Sequence, residues 1–198
     1  MIVIGITGPT GAGKSFFCDF LNGMKIPSIN ADRVYHDMLV PPSECLDAIR
    51  LAFGDSVFEA DGSLDRAKLG AIVFSSPEKL ELLNTTVLTR VITKIKEIIS
   101  EYKSQGCRAV AIDAPTLIES GFDKECDAVI SILASKELRT SRIIDRDSID
   151  EKSAELRINA QKDDSFYINN SNFVINNTKD AERFKNDAIA ILERLGLK

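Results

Sequence analysis

The sequence predicts an α/β fold in which helices cover both faces of a parallel sheet. Five short apolar runs rich in β-branched residues predict the strands: Ile2–Thr7, Ile26–Asn30, Ala109–Asp113, Ala128–Leu133 and Phe173–Asn176. Their hydrophobicity is nearly continuous rather than alternating, as expected for strands that are buried on both faces. Helical patterns separate the runs, and this alternation is typical of a doubly wound sheet.

Helical segments fill the intervals between the predicted strands. The segments that combine helix starts with apolar residues at helical spacing are Ser43–Phe53, Asp65–Phe74, Pro77–Tyr102 and the charge-rich 135–167. A last helix repeats apolar residues every three or four positions from Ala181 to Leu195 and ends before Gly196.

The spacing of the strands predicts the domain organisation. Residues 31–108, between the second and third strands, are far more than one crossover helix requires. We therefore predict a core formed by residues 1–32, 106–134 and 168–198, a helical insertion at 33–105 and a helical lid at 135–167. Two movable helical segments beside a sheet are typical of enzymes that must exclude water before a transfer step.

Composition limits the classes of function. The chain has 198 residues, a net charge of −5 and a pI near 5.1, which argues against a general nucleic-acid binder. We expect no membrane partner, because no apolar stretch approaches ~18 residues. The first apolar run continues into a glycine-rich loop, which favours a core strand over a signal peptide.

The cysteines indicate a reducing compartment. Four cysteines lie far apart without C-x-x-C spacing, and the chain has a single histidine, His36, so no zinc set is expected. Isolated thiols in an acidic chain are most simply buried small hydrophobic groups. We therefore expect a cytoplasmic protein.

The glycine-rich loop is the strongest chemical signal. Residues 8–15 spell Gly-Pro-Thr-Gly-Ala-Gly-Lys-Ser, a complete G-x-x-x-x-G-K-S phosphate-binding loop between a strand and an amphipathic helix. Backbone N–H groups and the positive end of the helix dipole converge there. Gly8, Gly11 and Gly13 permit close backbone approach, Lys14 can reach the β- and γ-phosphates, and the Ser15 hydroxyl can coordinate Mg²⁺. The loop predicts binding of a nucleoside triphosphate.

Asp32 is the candidate catalytic base. It comes just after the second predicted strand, and ligands of parallel sheets bind outside the carboxyl ends of the strands. A kinase that acts on a hydroxyl needs an acceptor for its proton. The alternative is that Asp32 is the N-cap of the following helix.

Asp113 closes the third predicted strand, two residues before Pro115. A carboxylate at this position is suited to the Mg²⁺ shell or its waters. The alternative is a turn residue that leads into the proline.

Three arginines of the predicted lid share one helix face, since Arg139, Arg142 and Arg146 are spaced by three and four residues. They can close on phosphates and stabilise transition-state charge. The alternative is a solvated surface paired with Glu137, Asp145 and Asp147.

In the helical insertion at 33–105, Arg66 can bind an anionic substrate group or simply open a helix. The residues alone leave both roles open.

The order of the motifs resembles the dephospho-CoA kinase family over roughly residues 2–177. The motifs are the phosphate loop, Ala31-Asp32-x-x-x-His36, Gly62-x-Leu64-Asp65-Arg66 with Val73-Phe74, Asp113-x-Pro115-x-Leu117-x-Glu119, Arg142-x-x-x-Arg146, Arg157-Ile158-x-x-Gln161 and Asn176-Asn177.

The resemblance implies an adenylate-kinase-like P-loop core that transfers the ATP γ-phosphate to the ribose 3′-hydroxyl of dephospho-CoA. It implies Asp32 as the base, residues 11–16 (including Ala12 and Phe16) on the ATP phosphates, and Asn176 and Asn177 near the adenine. It further implies a dephospho-CoA site in the 33–105 insertion, with Arg66, His36, Asp113 and Pro115 as candidate ligands, and Arg142 and Arg146 as lid arginines. The resemblance carries no statement on oligomeric state.

Several positions depart from the family pattern. Phe16 replaces a usual Thr, Thr85-Thr86 replaces a frequent His-Pro, Thr116 and Ile118 replace Leu and Phe, and Thr178 replaces a common Gly. None removes a group that the chemistry needs. Two alternatives stay open: another nucleoside or nucleotide kinase, and a nucleotide-dependent switch, although no guanine-binding Asn-Lys-x-Asp motif is present.

Overall fold

A five-stranded parallel sheet forms the centre of the computed structural model, which describes residues 1–178 and 180–198. The strands are β1 (Ile2–Thr7), β2 (Ser28–Asn30), β3 (Ala109–Asp113), β4 (Ala128–Leu133) and β5 (Phe173–Asn176), in the order β2-β3-β1-β4-β5. Strand β1 pairs in parallel with β3 and β4, and β4 pairs in parallel with β5. The predicted fold class is confirmed.

The second strand is shorter than predicted, because it begins at Ser28 rather than at Ile26. Pro27 has no N–H to donate to a ladder, so the preceding residues do not continue the strand. Its carbonyl oxygen still accepts a hydrogen bond from the Ala111 N–H at 2.8 Å.

Helices occupy the intervals between the strands. They are α1 (Lys14–Gly23), α2 (Ala31–Asp37), α3 (Glu44–Phe53), α4 (Arg66–Val73), α5 (Pro77–Ser104), α6 (Lys136–Asp147), α7 (Glu151–Asn159), α8 (Asp164–Asn169) and α9 (Ala181–Arg194). Side-chain oxygens cap the first turns of many of them, as Ser43 does for α3 and Asp65 does for α4. These caps are the sequence signals that placed the predicted helix starts.

The chain forms two compact units. One contains Met1–Ile29 and Tyr102–Lys198, and the other contains Asn30–Glu101. The first has a core in which α1 and α9 pack on the sheet, with Ile4, Ile6, Phe17, Leu21 and Phe184 almost fully buried. We call it the sheet unit.

The second unit is helical and has a core of its own, which we call the helical unit. Its buried residues are Leu39, Cys45, Leu46, Ile49, Val57, Leu69 and Val73. No helix in the described parts of the chain is long and apolar enough to cross a membrane.

Candidate active site

The phosphate loop connects β1 to α1 through a run of left-handed glycines. Gly8, Gly11 and Gly13 have φ angles of 134°, 76° and 104°. Gly13 is the N-cap of α1, and no side chain of the described residues caps that first turn. The first N–H groups of α1 are therefore available to bind an anion at the end of the helix.

All three glycines of the loop are required by close approach, and a Cβ placed on Gly8 would lie 2.2 Å from the carbonyl oxygen of Ile132. A Cβ placed on Gly13 would lie 2.1 Å from Nδ2 of Asn177, and one on Gly11 would lie 2.8 Å from the carbonyl oxygen of Arg139. All three distances are far below van der Waals contact, so none of these positions accepts a larger side chain without movement of its neighbour. The loop is thus packed directly against α6 and the residue after β5.

Lys14 lies over the backbone of the loop. Its Nζ donates a hydrogen bond to the Gly8 carbonyl oxygen at 2.7 Å and to the Pro9 carbonyl oxygen at 3.4 Å. The ammonium group is therefore held at the loop, where the phosphates of a nucleotide bind in folds of this kind.

Arg142 and Asn177 also bind the backbone of the loop. Nη1 of Arg142 donates to the carbonyl oxygens of Gly11 and Ala12 at 3.1 and 3.2 Å, and Nη2 lies 3.4 Å from Oδ1 of Asn177. The buried Asn177 amide donates to the Ala12 carbonyl oxygen at 2.7 Å. Because Ala12 is fully buried and its carbonyl oxygen accepts from both side chains, this clamp limits the conformations open to the loop.

Gln161 also contacts the loop, although the sequence did not predict it as a site residue. Its Oε1 accepts a hydrogen bond from the Thr10 N–H at 2.9 Å. Gln161 lies just beyond α7, far from the loop in sequence, and periodicity or charge carries no signal for it. Its place in the Arg157-Ile158-x-x-Gln161 motif is the only sequence feature that indicates a role.

The three arginines of α6 do not share one environment. Arg139 is 8% exposed, and its Nε has no hydrogen-bond partner among the described residues. Arg142 is bound to the loop, whereas Arg146 is exposed and paired with Asp147 at 2.7 and 2.9 Å. Arg146 is therefore the one of the three that is both exposed and hydrogen-bonded to an acid named in the alternative.

Asp113 is buried at the carboxyl end of β3, with 5% of its surface exposed. Nearby, the hydroxyl of Thr7, at the end of β1, donates to the Pro115 carbonyl oxygen at 3.2 Å. Burial raises the pKa of the Cys18 thiol to about 12, and the negative charge of Asp113 adds to this rise. Asp113 thus places a carboxylate charge beside α1, the helix that begins with Lys14 and the exposed Ser15.

The remaining nucleotide-site candidates are more exposed. Phe16 is 41% exposed, and its ring contacts the ring of Phe184 edge-on, with centroids 5.1 Å apart. Phe16 therefore packs toward α9 and leaves the hydroxyl function to Ser15. Asn176, the last residue of β5, is exposed, unlike the buried Asn177.

Asp32 lies in the first turn of α2 in the helical unit, and its side chain is exposed. Asn30 is the N-cap of this helix, since its side-chain oxygen accepts from the Arg33 N–H at 2.8 Å. The alternative of Asp32 as the N-cap is therefore wrong: Asn30 satisfies the end of the helix and leaves the Asp32 carboxylate for another use.

His36 and Arg66 come together on the helical unit. Nη2 of Arg66 lies 3.5 Å from Nδ1 of His36, and the His36 ring lies 5.4 Å from the ring of Tyr35. Burial raises the pKa of Tyr35, and the positive charge of Arg66 opposes that rise. These three side chains from α2 and α4 form a cationic and aromatic group suited to an anionic ligand.

Comparison with known proteins identifies what the whole chain resembles. Residues 2–182 match the family model described as CoaE, dephospho-CoA kinase. A dephospho-CoA kinase of Corynebacterium glutamicum is 30% identical over 195 residues, which is 98% of each chain. One of Dehalococcoides mccartyi is 35% identical over 177 residues, or 89% of each chain.

Solved structures agree with the sequence matches. The dephospho-CoA kinase from Campylobacter jejuni has a TM-score of 0.69 at 26% identity and covers 98% of this chain and 96% of its own. A shikimate kinase from Bacteroides thetaiotaomicron, at 13% identity and a TM-score of 0.54, shares the fold alone.

Proposed function

We propose, because the chain belongs to the dephospho-CoA kinase family, that it transfers the γ-phosphoryl group of ATP to the ribose 3′-hydroxyl of dephospho-CoA. The products are coenzyme A and ADP. The observation that carries the proposal is the phosphate loop clamped by Arg142 and Asn177, within a chain that matches the family model over residues 2–182.

Positioning and charge neutralisation supply most of the catalysis in this proposal. The transferring phosphoryl group is only loosely bonded in the transition state, so preorganised cations contribute more than covalent chemistry. Residues 11–16, which include Lys14, hold the phosphates. Arg142 and Arg146 act as lid arginines. The contacts of Lys14 and Arg142 with the loop carbonyls support these roles, because they hold both cations at the loop.

Asp32 acts as the general base. The 3′-oxygen attacks the γ-phosphorus, the bond from that phosphorus to the β,γ-bridging oxygen breaks, and ADP leaves with the bond's electrons. The hydroxyl proton passes to the Asp32 carboxylate. Capping of α2 by Asn30, which spares the Asp32 side chain, supports this role.

The donor set fits a magnesium ion. The Ser15 hydroxyl and the Asp113 carboxylate are hard oxygen ligands, and Mg²⁺ is typically held by few protein groups together with substrate phosphates. When bound, the ion neutralises charge on the β- and γ-phosphate oxygens.

The helical insertion at 33–105 binds the acceptor, with Arg66 and His36 on its anionic groups and Asp113 and Pro115 contributing from the end of β3. Residues 135–167 serve as the lid, and Asn176 and Asn177 lie at the adenine. The proximity of Arg66 to His36 supports the acceptor site. We place the reaction in the reducing cytoplasm, in keeping with four free cysteines.

The test is ADP release from Mg·ATP with and without dephospho-CoA, with coenzyme A measured directly. We expect acceptor-dependent release that is matched one-for-one by coenzyme A. Adenosine, AMP and shikimate serve as control acceptors. Faster turnover with one of these would favour another small-molecule kinase, and acceptor-independent hydrolysis would favour a nucleotide switch.

A further inference from the structure

The carboxylate of Asp147 binds two arginines from different helices. Its two oxygens accept from Nε and Nη2 of Arg146 at 2.7 and 2.9 Å, and Oδ2 also accepts from Nη1 of Arg157. Asp147 and Arg146 are the last two residues of α6, and Arg157 lies on α7. One acid therefore joins two guanidinium groups at the end of the proposed lid helix.

The position of Asp147 is unfavourable for the helix itself. A negative charge in the last turn opposes the helix dipole, which favours cations there. Neighbouring residues of a helix also do not face each other, so the Arg146 side chain must turn toward the helix end to reach Asp147. The hydrogen bonds from Arg146 and the charges of both arginines hold the pKa of Asp147 below its usual range. These contacts offset the unfavourable helix dipole, but they do not explain why an acid occupies the position.

The ion pairs are not what joins the two helices. Ile143 of α6 packs against Ala154 and Ile158 of α7 in a small buried cluster, and the side chain of Asp150 caps α7. Side-chain exposure is 60% for Arg146 and 52% for Arg157, against 22% for Asp147. Ion pairs between groups so exposed add little to stability.

The cluster of two arginines and one aspartate has a net positive charge, and both arginine side chains are more than half exposed. Two guanidinium groups so close together repel each other unless an anion lies between them. Asp147 supplies that anion. It accepts from Nε and Nη2 of Arg146 and from Nη1 of Arg157, whereas each guanidinium carries five N–H groups. The remaining donors can bind the oxygens of a phosphoryl group.

We propose that Asp147 is a positioning residue that holds Arg146 and Arg157 as one cationic pair for the transferring phosphoryl group. This inference rests on the proposed function and extends it to Arg157. Asp147 touches neither nucleotide nor acceptor and acts only through the two arginines.

Asp147→Asn tests the inference, because it keeps the shape of the side chain and removes its charge. We expect kcat to fall about tenfold, with the KM values for ATP and dephospho-CoA changing less than about threefold. Asp145→Asn is the matched control, since Asp145 is an exposed acid on the same helix and its removal changes the net charge equally. Thermal unfolding of both variants should match the parent.

A double-mutant cycle separates positioning from general loss of charge. Arg157→Gln should also lower kcat, and Asp147→Asn combined with Arg157→Gln should cost less than the product of the single effects. A parental kcat for Asp147→Asn, or multiplicative effects in the double variant, would overturn the inference. If Asp147→Asn melts below the assay temperature, Arg157→Gln alone decides, and a parental kcat for it counts against the inference.

Failure of the inference is distinguishable from failure of the proposed function. If the parent converts dephospho-CoA and Asp147→Asn does so equally well, only the inference fails. If the parent shows no acceptor-dependent turnover, the proposed function fails, and acceptor-independent ATP hydrolysis by the same variants becomes the readout. Equal hydrolysis by parent and Asp147→Asn would then overturn the inference as well.

Discussion

The phosphate loop and the proposed acceptor residues differ in how firmly the protein holds them. In the sheet unit, side chains distant in sequence bind the loop backbone: Arg142 binds Gly11 and Ala12, Asn177 binds Ala12, and Gln161 binds Thr10. In the helical unit, Asp32, His36 and Arg66 are exposed. The contact between Arg66 and His36 spans 3.5 Å, the limit of a hydrogen bond.

In the proposed reaction, this difference means that the protein holds the phosphate-binding residues in place more firmly than the acceptor-binding residues. Triphosphate chemistry depends on dipoles and cations that are in place before the reaction, whereas an acceptor can order exposed side chains as it binds. Large apolar side chains that are exposed to solvent are also more numerous in the helical unit than in the sheet unit. Five that are exposed lie in the helical unit, namely Val40, Leu51, Phe74, Leu82 and Leu88, against three in the sheet unit, namely Phe16, Leu156 and Ile168.

The largest effect is expected at Asp32, in the helical unit, where the proposed site residues are exposed. Asp32→Asn should lower kcat about 10³-fold, because the 3′-hydroxyl loses its proton acceptor. The ATP affinity, measured by calorimetry, should stay within about twofold, since the loop is untouched. Asp37→Asn, an exposed acid on the same helix, is the control. Parental turnover by Asp32→Asn would show that another group is the base.

Lys14 should give the next largest effect, now on the preorganised side. Lys14→Ala should lower kcat about 10²-fold and weaken ATP binding as well, because in the proposed mechanism the ammonium contacts phosphate in both the ground and transition states. Steady-state kinetics with ATP titrated at saturating dephospho-CoA separates the two effects. Unchanged ATP affinity would contradict the role of the loop.

Gly13 tests whether close packing of the loop matters for its function. Gly13→Ala must place a Cβ at φ 104° and 2.1 Å from Nδ2 of Asn177, and we expect a loss of about 1–3 kcal/mol in the free energy of unfolding. ATP affinity should fall with it, since displacement of Asn177 loosens the clamp on Ala12.

Gly23→Ala is the matched control for Gly13, because a Cβ there meets nothing within 4 Å and Gly23 lies on the same helix. It should stabilise the protein by about 0.4–1 kcal/mol by restricting the unfolded chain. Urea unfolding measures both variants. Equal stabilities would show that the packing of Gly13 against Asn177 is not tight in solution.

Arg66 should give the smallest effect. Arg66→Gln should raise the KM for dephospho-CoA about tenfold, with kcat nearly unchanged, because an anionic group loses a charged partner in both ground and transition states. Lys79→Gln, which removes another exposed cation of the helical unit, is the control. A fall in kcat without a change in KM would move Arg66 from acceptor binding into the phosphoryl-transfer step.

The strands and the phosphate loop were predictable because their signals are local. β1, β3, β4 and β5 occupy the predicted residues, since a strand buried on both faces needs a continuous apolar run. The loop needs four residues of fixed type at fixed positions within a span of eight. Among the predicted strand boundaries, only the start of β2 was wrong. The predicted run began at Ile26, before Pro27, whereas the strand begins at Ser28.

The surroundings of the loop were not predictable in the same way. The three arginines of α6 have one periodicity, yet Arg139 is buried, Arg142 binds the loop and Arg146 pairs with Asp147. Asp147 carried no more signal than Asp145, because sequence shows that acids are present but not which arginine each one meets.

The sequence by itself determined the sheet, the loop and the family, because each depends on residue types at short, regular spacing. The tertiary structure alone decided that Asn177 and Arg142 close on Ala12 and that Gln161 reaches Thr10. These contacts join residues more than 100 positions apart. Chain folding sets such distances, and the local pattern around each partner does not encode them.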